Sequence, residues 1–180
     1  MHEEIIFSGF GGQGALFAGQ LLTYAALDEG RQVTWIPSYG PEMRGGTAHC
    51  VVIISDAPIG SPLTRNPTIA VVLNPASMDK YEPLVKPGGI LVVNSTLVRR
   101  PAIRQDITVV TVPANDIALE VGDVRLANVV LLGALLGVKE IVKPASVRKA
   151  MEEHIPAAKA RFIEPNKQAL QRGLDYVARA

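Results

Sequence analysis

The sequence holds one cysteine, Cys50, in 180 residues. It therefore contains neither an internal disulfide nor a cysteine cluster able to ligate an iron–sulfur centre. Cys50 sits in an apolar run between His49 and Val51, which points to a buried, inert thiol. His2, His49 and His154 are scattered, and none has metal-ligand spacing with another histidine or with the cysteine. There is no G-x-S-x-G elbow, no Walker lysine and no nucleophile with an evident base. On these grounds the chain is expected to hold no metal and to carry no catalytic residue of its own. The formal net charge of +1 gives no footing for nucleic acid or for an anionic membrane. The longest apolar stretch, Val129 to Val138, falls short of the ~18 residues that span a bilayer. Met1-His2-Glu3-Glu4 is acidic and the apolar run behind it is too short for a signal peptide, so a cytoplasmic location is expected.

What is present is a globular composition, with 48% hydrophobic and 19% charged residues, expected to fold as one α/β domain over residues 1–180. The organising stretch is Gly9-Phe10-Gly11-Gly12-Gln13-Gly14. It follows an apolar strand at Glu4–Ser8 and opens a helix that runs from Ala15 to about Glu29. Strand, glycine turn and helix start, in that order, make a cradle for an anion. Gly9, Gly11 and Gly14 fit G-x-G-x-x-G, and a tight turn holding no ligand is the bland alternative. From Ala15 to Leu27 the helix has no charged residue. Such a helix is buried nearly all round, either by a partner subunit or by the chain's own C-terminal helices.

A second strand at Gln32–Ile36 should end in Asp or Glu if the chain gripped a dinucleotide ribose. Thr34-Trp35-Ile36-Pro37-Ser38 supplies no carboxylate. The next segment, Pro37 to Thr47, leaves the carboxyl end of that strand beside the glycine turn. Its prolines and glycines present Tyr39, Pro41, Glu42, Met43, Arg44, Gly45 and Gly46 as a functional loop. Arg44 can grip a carboxylate or phosphate, with Glu42 orienting it, or the two form a local surface pair.

Further strands are expected at Thr47–Ser55, Ile69–Leu73, Ile90–Val93 and Ile107–Val112, the first of these not necessarily parallel because no helix precedes it. Asn74-Pro75 caps a helix to about Val85, and Asn74, Asn94 and Asn115 all read more readily as helix caps than as cleft residues. Leu126–Val138 is a second very apolar helix, whose Gly133 and Gly137 let another backbone approach. A short helix follows Ser146, with His154 at the margin of its apolar face, and a last amphipathic helix runs from Pro165 to about Ala178.

Gly9-Phe10-Gly11-Gly12-Gln13-Gly14 followed by Ala18-Gly19, together with Tyr39-Gly40-Pro41-Glu42-Met43-Arg44-Gly45-Gly46, resembles the gamma subunit of 2-oxoacid:ferredoxin (acceptor) oxidoreductases. Ile59-Gly60-Ser61-Pro62, Lys86-Pro87-Gly88-Gly89 with Asn94-Ser95, and Asn128 leading into Leu132-Gly133-Ala134-Leu135 extend the resemblance over most of residues 4–140. It implies a Rossmann-like three-layer fold, a mostly parallel sheet of about six strands with helices on both faces. It also implies a larger enzyme that decarboxylates a 2-oxoacid, transfers the acyl group to coenzyme A and passes electrons to ferredoxin. Thiamine diphosphate and iron–sulfur clusters would then sit on alpha, beta or delta partners, with the two loops facing that core and, in the isolated chain, a homodimer. Ser38-Tyr39 before Gly40-Pro41, on a compact separate chain, is most similar to the 2-oxoglutarate branch, with the pyruvate and branched-chain branches open. The competing class is a free-standing Rossmann-type oxidoreductase using NAD(P) or FAD.

Overall fold

The structure, a computed structural model, describes residues 1–38 and 47–179. Six strands form one sheet: β1 (His2–Phe10), β2 (Gln32–Ser38), β3 (Thr47–Ser55), β4 (Ile69–Val72), β5 (Ile90–Asn94) and β6 (Thr108–Val112). They lie in the order β2-β3-β1-β4-β5-β6. β1, β4, β5 and β6 run parallel, whereas β3 is antiparallel to both β1 and β2. The expected strand at Glu4–Ser8 is longer at both ends because β3 pairs with it along its whole length, from His2 opposite Ser55 to Phe10 opposite Thr47. β2 likewise continues through Pro37, which an edge strand tolerates because the missing N–H can face outward.

Among the described residues six α-helices flank the sheet: α1 (Ala15–Asp28), α2 (Pro75–Tyr81), α3 (Ala114–Val121), α4 (Ala127–Val138), α5 (Pro144–His154) and α6 (Ile163–Ala178). α2 is shorter than the expected helix to Val85, since a 3-10 turn at Glu82–Leu84 takes over at Pro83. α3 is a helix beyond those read from the pattern, stopped at Gly122 with φ 124. The larger core packs α1, α4 and α5 against Ile5, Phe7, Val52 and Val71, while the other sheet face carries a smaller core around Ile6, Ile53, Met78, Tyr81 and Leu91.

The greasy face of α1 is covered mainly by the chain itself. Tyr24 stacks on His154 of α5 with ring centroids 3.7 Å apart, and Glu29 accepts hydrogen bonds from Lys143 N and Ser146 Oγ, each at 2.7 Å. Leu16 and Phe17 stay half-buried, and Leu27 is exposed. The close approach foreseen at Gly133 and Gly137 is also internal. A Cβ on Gly133 would strike the Leu170 carbonyl of α6, and one on Gly173 would strike that of Val130. α4 and α6 therefore touch backbone to backbone.

The stretch after β5 is pinned by a buried carboxylate. Glu82 accepts from Ile103 N at 2.5 Å, Arg104 N at 3.1 Å and Arg100 Nη1 at 2.7 Å. Burial by itself raises the Glu82 carboxyl, but these hydrogen bonds and the Arg100 charge outweigh it and hold the group below its ordinary 4.5.

Two outcomes are expected. Alanine at Gly173 or Gly133 gains about 1 kcal/mol of helix propensity, yet backbone cannot yield as a side chain can, and the overpacking loses about 1–3 kcal/mol. Urea denaturation should therefore show net destabilisation, and an unchanged midpoint would refute the backbone contact. Glu82 contributes stability that is complete above its unfolded pKa and is lost as pH falls through the lower folded value. Glu82→Gln should accordingly flatten the acid limb of stability against pH below about 4.5, and an acid limb identical to the parent's would remove Glu82 from that role.

Candidate functional site

The sheet's switch point lies at the carboxyl ends of β1 and β4, with β3 on the far side of β1. In open α/β sheets ligands seat at such a point. The glycine turn rises from it. Gly9 is still within β1 and is needed for closeness, because a Cβ there would come 2.8 Å from Gln13 Oε1 and 3.1 Å from Leu73 Cβ. Gly12 and Gly14 adopt positive φ, 95° and 76°, while Gly11 does not, so two of the four glycines meet a left-handed requirement.

Gln13 ties the turn down. Its Oε1 accepts from Phe10 N at 2.7 Å and from Asn74 Nδ2 at 2.9 Å, while Asn74 Oδ1 accepts from Ser77 N at 2.8 Å to cap α2. From the other side, Asn128 of α4 donates through Nδ2 to Gly14 O at 2.8 Å. Gly14 is the N-cap of α1, and with no side chain to cap and no acidic residue in the first turn, the helix offers its N–H groups outward. An anion is the ligand class this end favours.

Asn74 caps a helix as expected, but Asn94 and Asn115 do not. Asn94 ends β5 and donates from Nδ2 to Asn115 Oδ1 at 2.9 Å and to Leu73 O at 3.2 Å, and Asn115 lies inside α3 rather than at its cap. Both line a cleft of about 150 Å³ with Gly12, Gln13, Leu73, Val124, Arg125 and Ala127. Arg125 is fastened to Asp123, whose carboxyl it holds down at about 2. Across the turn, a wider apolar hollow of about 320 Å³ is bounded by Phe10, Leu16, Phe17 and Ala48.

Tyr39, Pro41, Glu42, Arg44, Gly45 and Gly46 lie outside the described residues. Their flanks are placed: Thr47 pairs with Phe10 beside the glycine turn, while Ser38 pairs with His49 and so stands two strands from β1, level with Ser8. His49 there is held below its ordinary pKa by burial and by the Lys80 charge, which favours the neutral ring. Cys50 is fully buried under α1, where burial pushes its thiol up to about 12 against the lowering contact of the Trp35 indole. A thiol so placed is inert, as its apolar context in the sequence suggested. Among the described residues the acid-and-histidine grouping of Asp28, Glu153 and His154 is exposed and distant in sequence from the turn.

Residues 4–176 match the family model described as pyruvate ferredoxin/flavodoxin oxidoreductase. The chain is 40% identical over 161 residues to the 2-oxoglutarate synthase subunit KorC of Methanocaldococcus jannaschii, covering 87% of this chain and 85% of that one. It is 38% identical over 176 residues to the ketoisovalerate oxidoreductase subunit VorA of Methanothermobacter thermautotrophicus, covering 96% of this chain but spanning only 36% of that relative's length. Among solved structures it is similar to a keto/oxoacid ferredoxin oxidoreductase gamma subunit from Geobacter sulfurreducens, with a TM-score of 0.84, 34% identity and 99% of each chain covered.

Alanine at Gly14 must hold φ near 76° and displace the Asn128 carboxamide, whose Cγ would be 2.9 Å from the new Cβ, whereas at Gly12 the space is open. Gly12→Ala should cost about 1–2 kcal/mol of backbone strain and Gly14→Ala distinctly more. Asn128→Ala should recover part of the Gly14→Ala deficit in a double-mutant cycle, and strict additivity would sever that coupling.

Proposed function

The chain belongs to the pyruvate ferredoxin/flavodoxin oxidoreductase family, and we propose that it works as the gamma subunit of a multisubunit 2-oxoacid:ferredoxin oxidoreductase. The reaction is R–CO–COO⁻ plus coenzyme A thiol to acyl-coenzyme A and CO₂, with two electrons passed to ferredoxin and one proton released. In this reading the chain contributes binding surface and architecture. Its single cysteine is buried, so an iron–sulfur cluster does not fit its donor set, and the clusters and thiamine diphosphate belong to alpha, beta or delta partners. Coenzyme A, as a phosphate-bearing ligand, fits the anion-favouring start of α1, with Gly11, Gly12, Gln13 and Gly14 at its mouth.

The observation that carries this reading over a dinucleotide enzyme is the strand next to β1. A Rossmann-type order sets the second strand there, parallel, with a carboxylate at its tip for the ribose. Here β3 takes that place antiparallel and brings Thr47 and Ala48 beside the turn, while β2 stands one strand further out at the edge. No acidic residue of either strand reaches the ribose position.

Within the family, 2-oxoglutarate is our choice of 2-oxoacid. Ser38-Tyr39 before Gly40-Pro41 supports it, as does likeness to KorC along most of both chains. In this reading the assembly works in the cytoplasm. Among the described residues no helix is long and apolar enough to cross a membrane. Expressed alone, the chain pairs with a second copy, for which exposed Leu27 and half-buried Leu16 and Phe17 supply apolar surface.

Affinity-tagged chain recovered from its own host should bring down alpha- and beta-type chains in a brown assembly. That assembly should reduce ferredoxin with 2-oxoglutarate and coenzyme A faster than with pyruvate or 2-ketoisovalerate. NAD(H) titrated against the chain should leave Trp35 fluorescence without saturable change. Recovery as a lone chain that reduces a nicotinamide would overturn the proposal.

A further inference from the structure

The sheet ends on β2, and the direction of each backbone group in that strand can be read from β3. Asp56 N donates to Met1 O at 3.0 Å, one step beyond the pair of Ser55 with His2. In an antiparallel ladder the N–H and C=O of alternate residues turn to opposite sides. Ala48, Cys50, Val52 and Ile54 therefore turn theirs to β1, and the odd-numbered residues of β3 turn theirs to β2. Their partners there are Gln32, Thr34, Ile36 and Ser38. Val33, Trp35 and Pro37 consequently present their backbone groups outward, where no described strand pairs with them. Pro37 offers only its C=O, because it has no N–H.

Exposed edges are commonly blunted by charge, by shortness or by proline. β2 is 7 residues long and uncharged from Gln32 to Ser38, and its proline stands near the far end. Two copies of it, laid antiparallel about a two-fold axis at Thr34, complement each other. Val33 then faces Trp35 of the second copy, and the two exchange both backbone bonds. Pro37 falls opposite Arg31, which lies outside β2 and whose N–H is already taken by Ala26 O at 3.1 Å, so the missing donor disturbs nothing. Moving the axis to Val33 would leave Trp35 facing Arg31. Moving it to Trp35 would set the Pro37 ring against the Val33 carbonyl inside the ladder. The Thr34 register also brings no like charges together, and it sets Val33 beside the Trp35 indole on the α1 side, an aromatic and β-branched pair.

α1 covers β2 and β3 from one side, so the same axis, normal to the sheet, carries α1 and its copy to one face. On α1, Leu16, Thr23 and Leu27 recur at i, i+7 and i+11. Their flank belongs neither to Tyr24, stacked on α5, nor to Gly19, seated on Cys50 and Val52, and Leu27 on it is exposed. We propose that two copies of the chain join edge to edge through β2 in the Thr34 register, making their two sheets one, with both α1 helices on the same face. This rests on the self-pairing of the isolated chain read above and gives it a route and a register.

Amide hydrogen exchange, followed by NMR on the unmutated 180-residue chain, tests the edge directly. The Thr34 and Ile36 amides, bonded to β3, should be protected at every concentration. The Val33 and Trp35 amides should slow by about tenfold or more between dilution below the dissociation midpoint and concentrations well above it. Val33→Pro removes only an outward N–H, so its far-UV circular dichroism should match the parent's while sedimentation gives a dissociation constant raised about tenfold or more. The exchange measurement keeps the test standing if that variant does not fold. A dimer whose Val33 and Trp35 amides exchange as fast as in the monomer would overturn this route and leave the self-pairing in place. A chain that stays monomeric throughout would overturn both, including where these amides become protected only in an assembly with other chains. Neither result bears on recovery of alpha- and beta-type chains, which decides the gamma-subunit reading.

Discussion

Strand β1 is paired along both edges and covered on both faces, and the rest of the molecule is placed by reference to it. Ile5, Phe7 and Ser8 have no exposed surface, with β3 on one flank and β4 on the other. A strand so enclosed cannot slip by one residue without turning its apolar set to the wrong face. The glycine turn therefore leaves the sheet at a fixed height and direction. Below α1 the fit is equally close: a Cβ on Gly19 would strike the Cys50 sulfur and come within 3.3 Å of Phe7. The helix is thus set down on the sheet, and its N–H end comes to rest where β1 and β4 diverge.

What could be read in the sequence follows from how far apart the interacting residues lie. The strand, turn and helix around Gly9 to Gly14 are a local pattern and were legible as such, as was the buried surrounding of Cys50. Periodicity also exposed α4 and its two glycines, but it could not name the facing surface, which belongs to α6 rather than to another chain. The polar contacts that hold the turn were not legible. Gln13 meets Asn74 across 61 residues and Asn128 meets Gly14 across 114. A lone amide leaves no periodic trace, so Asn94 and Asn115 read as helix caps until the sheet order placed them at one cleft. The loop from Tyr39 to Gly46, distinctive through its prolines, glycines and the family resemblance, lies outside the described residues.

The antiparallel insertion of β3 also shows how a shared scaffold can part from a shared ligand. The start of α1 keeps the features that attract phosphate, yet the neighbouring strand comes from the opposite direction and delivers its beginning instead of its end. Among the described residues, strand polarity alone sets Thr47 and Ala48, and no carboxylate of β2 or β3, beside the turn, with the glycine spacing intact.

The backbone contact between α4 and α6 has a consequence for how the chain is made. α4 is buried on nearly every side, yet α6, which closes it, leaves the ribosome after it, with α5 between them. Until the stretch through Gly173 has emerged, a dozen residues of almost pure hydrocarbon have no lid of their own. Vectorial synthesis thus opens an interval in which nascent α4 exposes an apolar, aggregation-prone surface.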